Sequence, residues 1–238
     1  MRFSARTDTP SLQLIGGAAL IALLLTAPWL GPLNLPFRLL STIVHELCHG
    51  LAALLTGGTF VRFQIAPDGS GLAYTAGGWR LLIMPAGYLG SALFGALLIS
   101  VSRSVRACRA VLGALGLGLL LLSLRYGVPT IFSAPLAGLL TVISGVLLGA
   151  AFLWVAARTT PQWSALLVMV VALQSGFNAF GDLMTLVGLS ANGPAVRTDA
   201  QSMAAATGLP AILWAVLWAI MASAILGWAV WRTWIKPR

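Results

Sequence analysis

Pro36-Phe37-Arg38-Leu39-Leu40-Ser41-Thr42-Ile43-Val44-His45-Glu46-Leu47-Cys48-His49-Gly50-Leu51-Ala52-Ala53-Leu54-Leu55 has the length, about 20 residues, at which an α-helix crosses a bilayer. It is largely apolar, yet at its centre His45, Glu46 and His49 fall within one helical turn of each other. An ionisable group inside a span is costly unless it is paired or ligated. His45 and His49 are the only histidines of the chain and Glu46 is its only glutamate. Chance placement of all three in one apolar run is a poor explanation, and so is a role as histidines that merely pack between helices.

Outward from this stretch, the chain repeats the same apolar length. Runs at residues 12–30, 36–55, 81–101, 110–128, 135–157, 163–189 and 209–231 read as spans. The first follows a basic stub and resembles the apolar core of a signal peptide, but it is too long for one, and we read it as a retained span. The expected fold is an all-α membrane protein: a polytopic bundle of about six or seven transmembrane helices, forming one domain over residues 1–238 with a small β-hairpin inserted after the signature helix. Its location is a membrane, as a multi-pass protein.

The bulk numbers agree. Of 238 residues 59% are hydrophobic and 8% charged, with mean hydropathy +0.95, against about 25% charged in an ordinary soluble domain. The net charge of +9 comes from basic residues set singly or in short groups between apolar runs. That is how helix ends are held at lipid headgroups; nucleic-acid binding needs a clustered basic face on a polar surface. The expected partner is the lipid bilayer, and no nucleic acid. Arg103, Arg106, Arg109 and Arg158 lie on one side against Arg62, Arg80 and Arg197 on the other, so orientation stays open. The two cysteines, Cys48 and Cys108, fall at different membrane depths, which argues against a disulfide.

Two connectors carry their own patterns. Residues 57–80 alternate through Thr59-Phe60-Val61-Arg62-Phe63-Gln64-Ile65, turn at Pro67-Asp68-Gly69-Ser70-Gly71 and resume at Leu72, which reads as a hairpin. Residues 190–208 hold a turn at Asn192-Gly193-Pro194 and then a short helix beginning near Thr198-Asp199.

His45-Glu46-Leu47-Cys48-His49 has the H-E-x-x-H spacing, which puts two imidazoles on one helix face, as a tetrahedral zinc requires. Glu46 is placed as a general base that takes a proton from water and passes it to a leaving amine. Zinc lowers the pKa of a water it binds towards neutrality. A catalytic zinc needs a third protein ligand, and four aspartates or a cysteine remain. Asp8 lies in the stub, Asp68 has a local reason to be in a turn, and Cys48 points about 100° away from His49 along the helix. Asp182, within an apolar run and at a depth similar to that of His49, is the favoured ligand. Asp199 is the alternative, with helix capping as its plainer role.

His45-Glu46-Leu47-Cys48-His49-Gly50, Thr56-Gly57-Gly58, the Pro67 to Gly71 turn and Pro85-Ala86-Gly87-Tyr88-Leu89-Gly90 resemble the site-2 protease family, in its small bacterial and plant branch without a PDZ domain. Thr198-Asp199-Ala200 and Leu209-Pro210 with Trp214 and Trp218 also look like that branch. The resemblance implies an intramembrane zinc metalloendopeptidase in a bacterial plasma membrane, with a membrane-protein segment as substrate. His45 and His49 would be zinc ligands, Glu46 the base, Asp182 the third ligand, and Asn178 a polar neighbour of the substrate. The family's Leu-Asp-Gly order at that aspartate is absent here, where Gly181 precedes Asp182.

An edge strand of the hairpin could take an unwound substrate segment by strand addition; the plain alternative is a hairpin that only packs against the bundle. Glycines 87, 90 and 95 read as close helix contacts. A non-proteolytic membrane protein that keeps the metal to hold a client segment is the second functional reading, and Glu46 argues against it, because a binding site has no need of a base. A zinc transporter would want more polar groups along a path than the chain supplies.

Overall fold

The computed structural model describes residues 12–191 and 198–236. Asp8, Arg197 and the turn expected at Asn192-Gly193-Pro194 lie outside the described residues. Eight α-helices and one hairpin follow in order: α1 Leu12–Leu25, α2 Gly31–Leu55, β1 Thr59–Ile65, β2 Gly71–Ala76, α3 Arg80–Val101, α4 Val105–Ile131, α5 Pro135–Arg158, α6 Pro161–Ala191, α7 Asp199–Thr207 and α8 Ala211–Val230. The fold is a multi-pass helical membrane bundle. Among the described residues, five helices are long and apolar enough to cross a membrane: α3, α4, α5, α6, and α8 with its continuation to Ile235.

The first two expected spans differ from this set for physical reasons. The run at 12–30 breaks after the 14 residues of α1, short of the roughly 20 a crossing needs, and a 3₁₀ turn at Pro28–Leu30 leads into α2. Proline is tolerated in a helix's first turn, so α2 starts at Gly31 with Pro32 inside that turn and reaches 25 residues. It is long enough to cross but carries the polar signature.

Close backbone approach organises the bundle. Gly116 of α4 and Gly149 of α5 face each other so tightly that a β-carbon on either would stand 2.7 Å from the other's carbonyl oxygen. Without water between helices, such small-residue contacts and their van der Waals packing are what hold spans together. The α2–α3 pair uses the same device: a β-carbon at Gly90 would stand 2.5 Å from Cys48 Sγ.

The hairpin is antiparallel, with Phe63 opposite Ala73, Ile65 opposite Gly71 and a bulge between Phe60 and Arg62. Its two edges have different fates. The Ile65 N–H donates to Thr141 Oγ1 of α5 at 2.8 Å, and Thr130 Oγ1 of α4 donates to the Phe63 carbonyl at 2.7 Å. These bonds satisfy the outer edge of β1 with side chains from the bundle. They also fix the register of polar groups. In an antiparallel pair, residues whose backbone groups point away from the partner strand stand opposite residues that do the same. Gly71 and Ala73 therefore point their backbone groups away from β1, along the free edge of β2.

Candidate metal centre

His45 and His49 lie one turn apart on α2, as their spacing dictates. Their Nε2 atoms are 3.1 Å apart. The tautomer of His49 follows from its neighbour. Nδ1 stands 2.7 Å from the Ile83 carbonyl in the first turn of α3, and a carbonyl only accepts, so Nδ1 carries the proton and Nε2 presents a lone pair. This partner, invisible in the sequence, is the kind of outer contact that orients a metal-ligating imidazole.

The third group is Asp199. Its Oδ2 lies 3.3 Å from His45 Nε2 and 3.2 Å from His49 Nε2. Among the described residues, His45, His49 and Asp199 form a cluster that could hold a metal ion, with their ligand atoms within 4.8 Å of one another. The expectation that Asp182 would converge on both imidazoles is corrected by this geometry. Asp182 lines the same cavity, about 920 Å³ in volume, from α6, but it is not one of the three converging groups. Matched depth fixed its height in the membrane, not its distance across the cavity.

The capping role that seemed to occupy Asp199 belongs to the residue before it. Thr198 Oγ1 accepts from the Gln201 N–H, and the Gln201 side chain accepts from the Thr198 N–H, a complete capping box. Asp199 is thus the first residue of α7, with its carboxylate free to face α2.

Around the cluster the packing is close. A β-carbon at Gly87 of α3 would collide with Nε2 of both His45 and His49, so glycine there is what lets α3 lie against the imidazoles. Glu46 is 5% exposed and does not join the cluster; it lines the cavity beside it. The free edge of β2 reaches it: the Ala73 backbone lies beside its carboxylate, and a β-carbon at Gly71 would collide with Oε1. Thr42 Oγ1, one turn before Glu46, donates to the Gly69 carbonyl at 2.9 Å and ties the hairpin turn to α2. Asn178 lines the cavity from α6, and its Nδ2 is buried without a partner.

The sequence matches the Peptidase M50B-like family over residues 17–229. The chain belongs to that family. No curated protein and no solved structure gives a significant match. In this M50B-like chain His45 and His49 come together as their spacing foretold, with Glu46 lining the same cavity. What sequence reasoning missed are the contributions of single backbone groups, at Ile83 and Ala73, and the two glycines that make room for them. For Asp199 a signal was present, since Thr198-Asp199-Ala200 belonged to the resemblance.

Proposed function

We propose that this M50B-like protein is an intramembrane zinc metalloendopeptidase, cutting peptide bonds within or beside transmembrane segments of other membrane proteins. One observation carries the reading: two imidazoles and a carboxylate close into a triangle 3.1–3.3 Å on a side, with Glu46 beside it in the same cavity. Ligand bonds of about 2.0–2.1 Å at tetrahedral angles set neighbouring donor atoms about 3.3 Å apart. The triangle therefore matches one face of a tetrahedral zinc site. When bound, zinc supplies a Lewis acid that polarises a carbonyl oxygen and acidifies water.

His45, His49 and Asp199 are the residues that would hold the metal. Glu46 accepts the proton of the attacking water and returns it to the amine as the carbon–nitrogen bond breaks. A peptide bond inside a helix is shielded by its own hydrogen bonds, so the substrate segment must be extended first. The free edge of β2, which passes Glu46 at Gly71 and Ala73, offers such a segment a strand to pair with. Asn178, a buried donor without a partner, is placed to bind a polar group of the same segment.

The test compares wild type with Glu46→Gln, both purified in detergent and co-expressed with candidate membrane substrates. Glu46→Gln retains about one zinc per chain and loses cleavage by about 10²–10⁴-fold. Continued cleavage by Glu46→Gln would overturn the mechanism.

A further inference from the structure

Tyr88, in the middle of α3, has a hydroxyl that none of the described residues uses. Its ring meets His45 edge to face, with centroids 4.6 Å apart and planes at 88°. Behind it the ring stacks on Trp218 of α8 at 6.0 Å, and Trp218 leans on Trp214 at 6.4 Å. Trp214 Nε1 in turn donates to Thr207 Oγ1 at the end of α7. The ring is therefore fixed from behind by two helices while it lines the cavity that holds the three-residue cluster. Despite this fixed and half-buried position, the phenolic hydroxyl makes no hydrogen bond within the described residues. The hydroxyl is not among the side-chain atoms sealed from solvent, so the cavity that the ring lines leaves it free to meet a bound segment.

Resting on the protease reading above, we propose that Tyr88 is a further catalytic residue, whose hydroxyl donates a hydrogen bond to the carbonyl oxygen of the scissile peptide as negative charge develops there. As water adds, its oxygen bonds to the carbonyl carbon, the carbonyl π pair moves onto oxygen, and one water proton passes to Glu46. The carbon–nitrogen bond then breaks, and the leaving nitrogen takes that proton. Tyr88 keeps its own proton throughout; its part is a positioned dipole aimed at the new charge, the kind of group whose benefit is realised only in the transition state. Two other hydroxyls on the wall are committed elsewhere: Thr42 donates to the Gly69 carbonyl and Ser70 to Asp68. Neither touches a ligand imidazole, whereas the Tyr88 ring does.

The experiment uses full-length protein in detergent with zinc bound, as wild type, Tyr88→Phe and Tyr88→Leu. Three quantities are read: zinc content, affinity for a peptidyl phosphinate that imitates the tetrahedral oxyanion, and affinity for its parent amide. Cleavage of fluorogenic transmembrane-segment peptides is followed alongside. Tyr88→Phe keeps the ring and should keep the zinc and the amide affinity, while its kcat falls about 10²-fold or more and phosphinate binding weakens in step. Tyr88→Leu removes the contact with His45 as well and should also lower zinc affinity. A Tyr88→Phe protein that matches wild type in kcat and phosphinate affinity overturns the proposal and leaves the protease reading intact. Loss of zinc in Tyr88→Phe overturns it too, by making the hydroxyl structural. Zinc-loaded wild type that neither cuts peptides nor binds the phosphinate overturns the protease reading, and this one with it.

Discussion

Asp199 Oδ2 stands 3.2 Å from His49 Nε2 although 150 residues separate them in sequence. The relationship joins a short helix in a connector to the core of α2. The two histidines come ready-made from one helical turn, whereas the third ligand arrives only when α7 docks against the bundle. On the proposed reading, metal binding and the docking of α7 would be linked equilibria, each stabilising the other.

Asp199→Ala accordingly removes a ligand and should weaken zinc affinity by on the order of 10²-fold or more, as even outer contacts of a metal site cost 10–100-fold. Asp182→Ala should leave zinc stoichiometry nearly unchanged. Metal analysis after dialysis at fixed free zinc distinguishes them. A chelator should lower the thermal midpoint of wild type and leave that of Asp199→Ala unmoved, because only a protein that holds the ion is stabilised by it. Retention of zinc by Asp199→Ala together with its loss from Asp182→Ala would reverse the assignment.

How far the sequence reached can be seen at these same residues. The H-E-x-x-H spacing places two imidazoles and a base by helix geometry alone, and apolar length marks α3, α4, α5, α6 and α8 as spans because lipid demands that length. The hairpin was legible from its alternation and its Asp-Gly turn. Asp199 was legible only as the alternative ligand, because a Thr-Asp pair at a helix start reads equally well as a cap, and only the structure shows Thr198 taking that role. The partition of the first apolar run was hidden for a related reason: proline at a helix start and proline as a breaker look the same in sequence until a neighbour fixes the turn.

The outer edge of β1 rests on two threonines, Thr130 and Thr141, both fully buried. Thr141→Val leaves the Ile65 N–H without its acceptor, and Thr130→Val leaves the Phe63 carbonyl without its donor. Each loss should cost about 1–3 kcal/mol and lower the thermal midpoint measured in detergent. Zinc stoichiometry should remain that of wild type, because neither threonine touches the cluster. Unchanged midpoints in both variants would show that these bonds do not hold the strand.

Asp68 gives the hairpin turn a pH dependence. The Ser70 hydroxyl and the Ser70 N–H both donate to Asp68 Oδ1, at 2.7 and 2.9 Å, and they hold its carboxyl below the ordinary value. A carboxyl lowered on folding contributes order that is fully present above its unfolded pKa of about 3.9 and lost as pH falls through the lower folded value. Hydrogen exchange at the Gly69 and Ser70 amides should therefore show protection constant from neutral pH down to about 4, then a fall on further acidification once the intrinsic rate is removed. In Asp68→Asn that acid step should vanish. A step of equal size in both proteins would assign it to another group.

Gly87 makes the sharpest test of the geometry, because it needs no assumption about substrate. A β-carbon there would collide with Nε2 of both His45 and His49, the two ring atoms that converge with Asp199. The obstruction is on both imidazoles at once, so a rotation of one ring does not relieve it. The rings are also not free to swing, since His49 is tied through Nδ1 to Ile83 and His45 packs on the Tyr88 ring. Gly87→Ala must push α3 away from α2 or displace both ligands, and either response opens the triangle. The expected result is loss of zinc and of cleavage together, from a substitution that ordinarily favours a helix by about 1 kcal/mol. Gly118 in α4 supplies the control, because nothing lies within 4 Å of its added β-carbon. Gly118→Ala should keep full zinc content and a thermal midpoint at or above that of wild type. Equal zinc content in the two variants would mean that α3 does not press on the imidazoles as described.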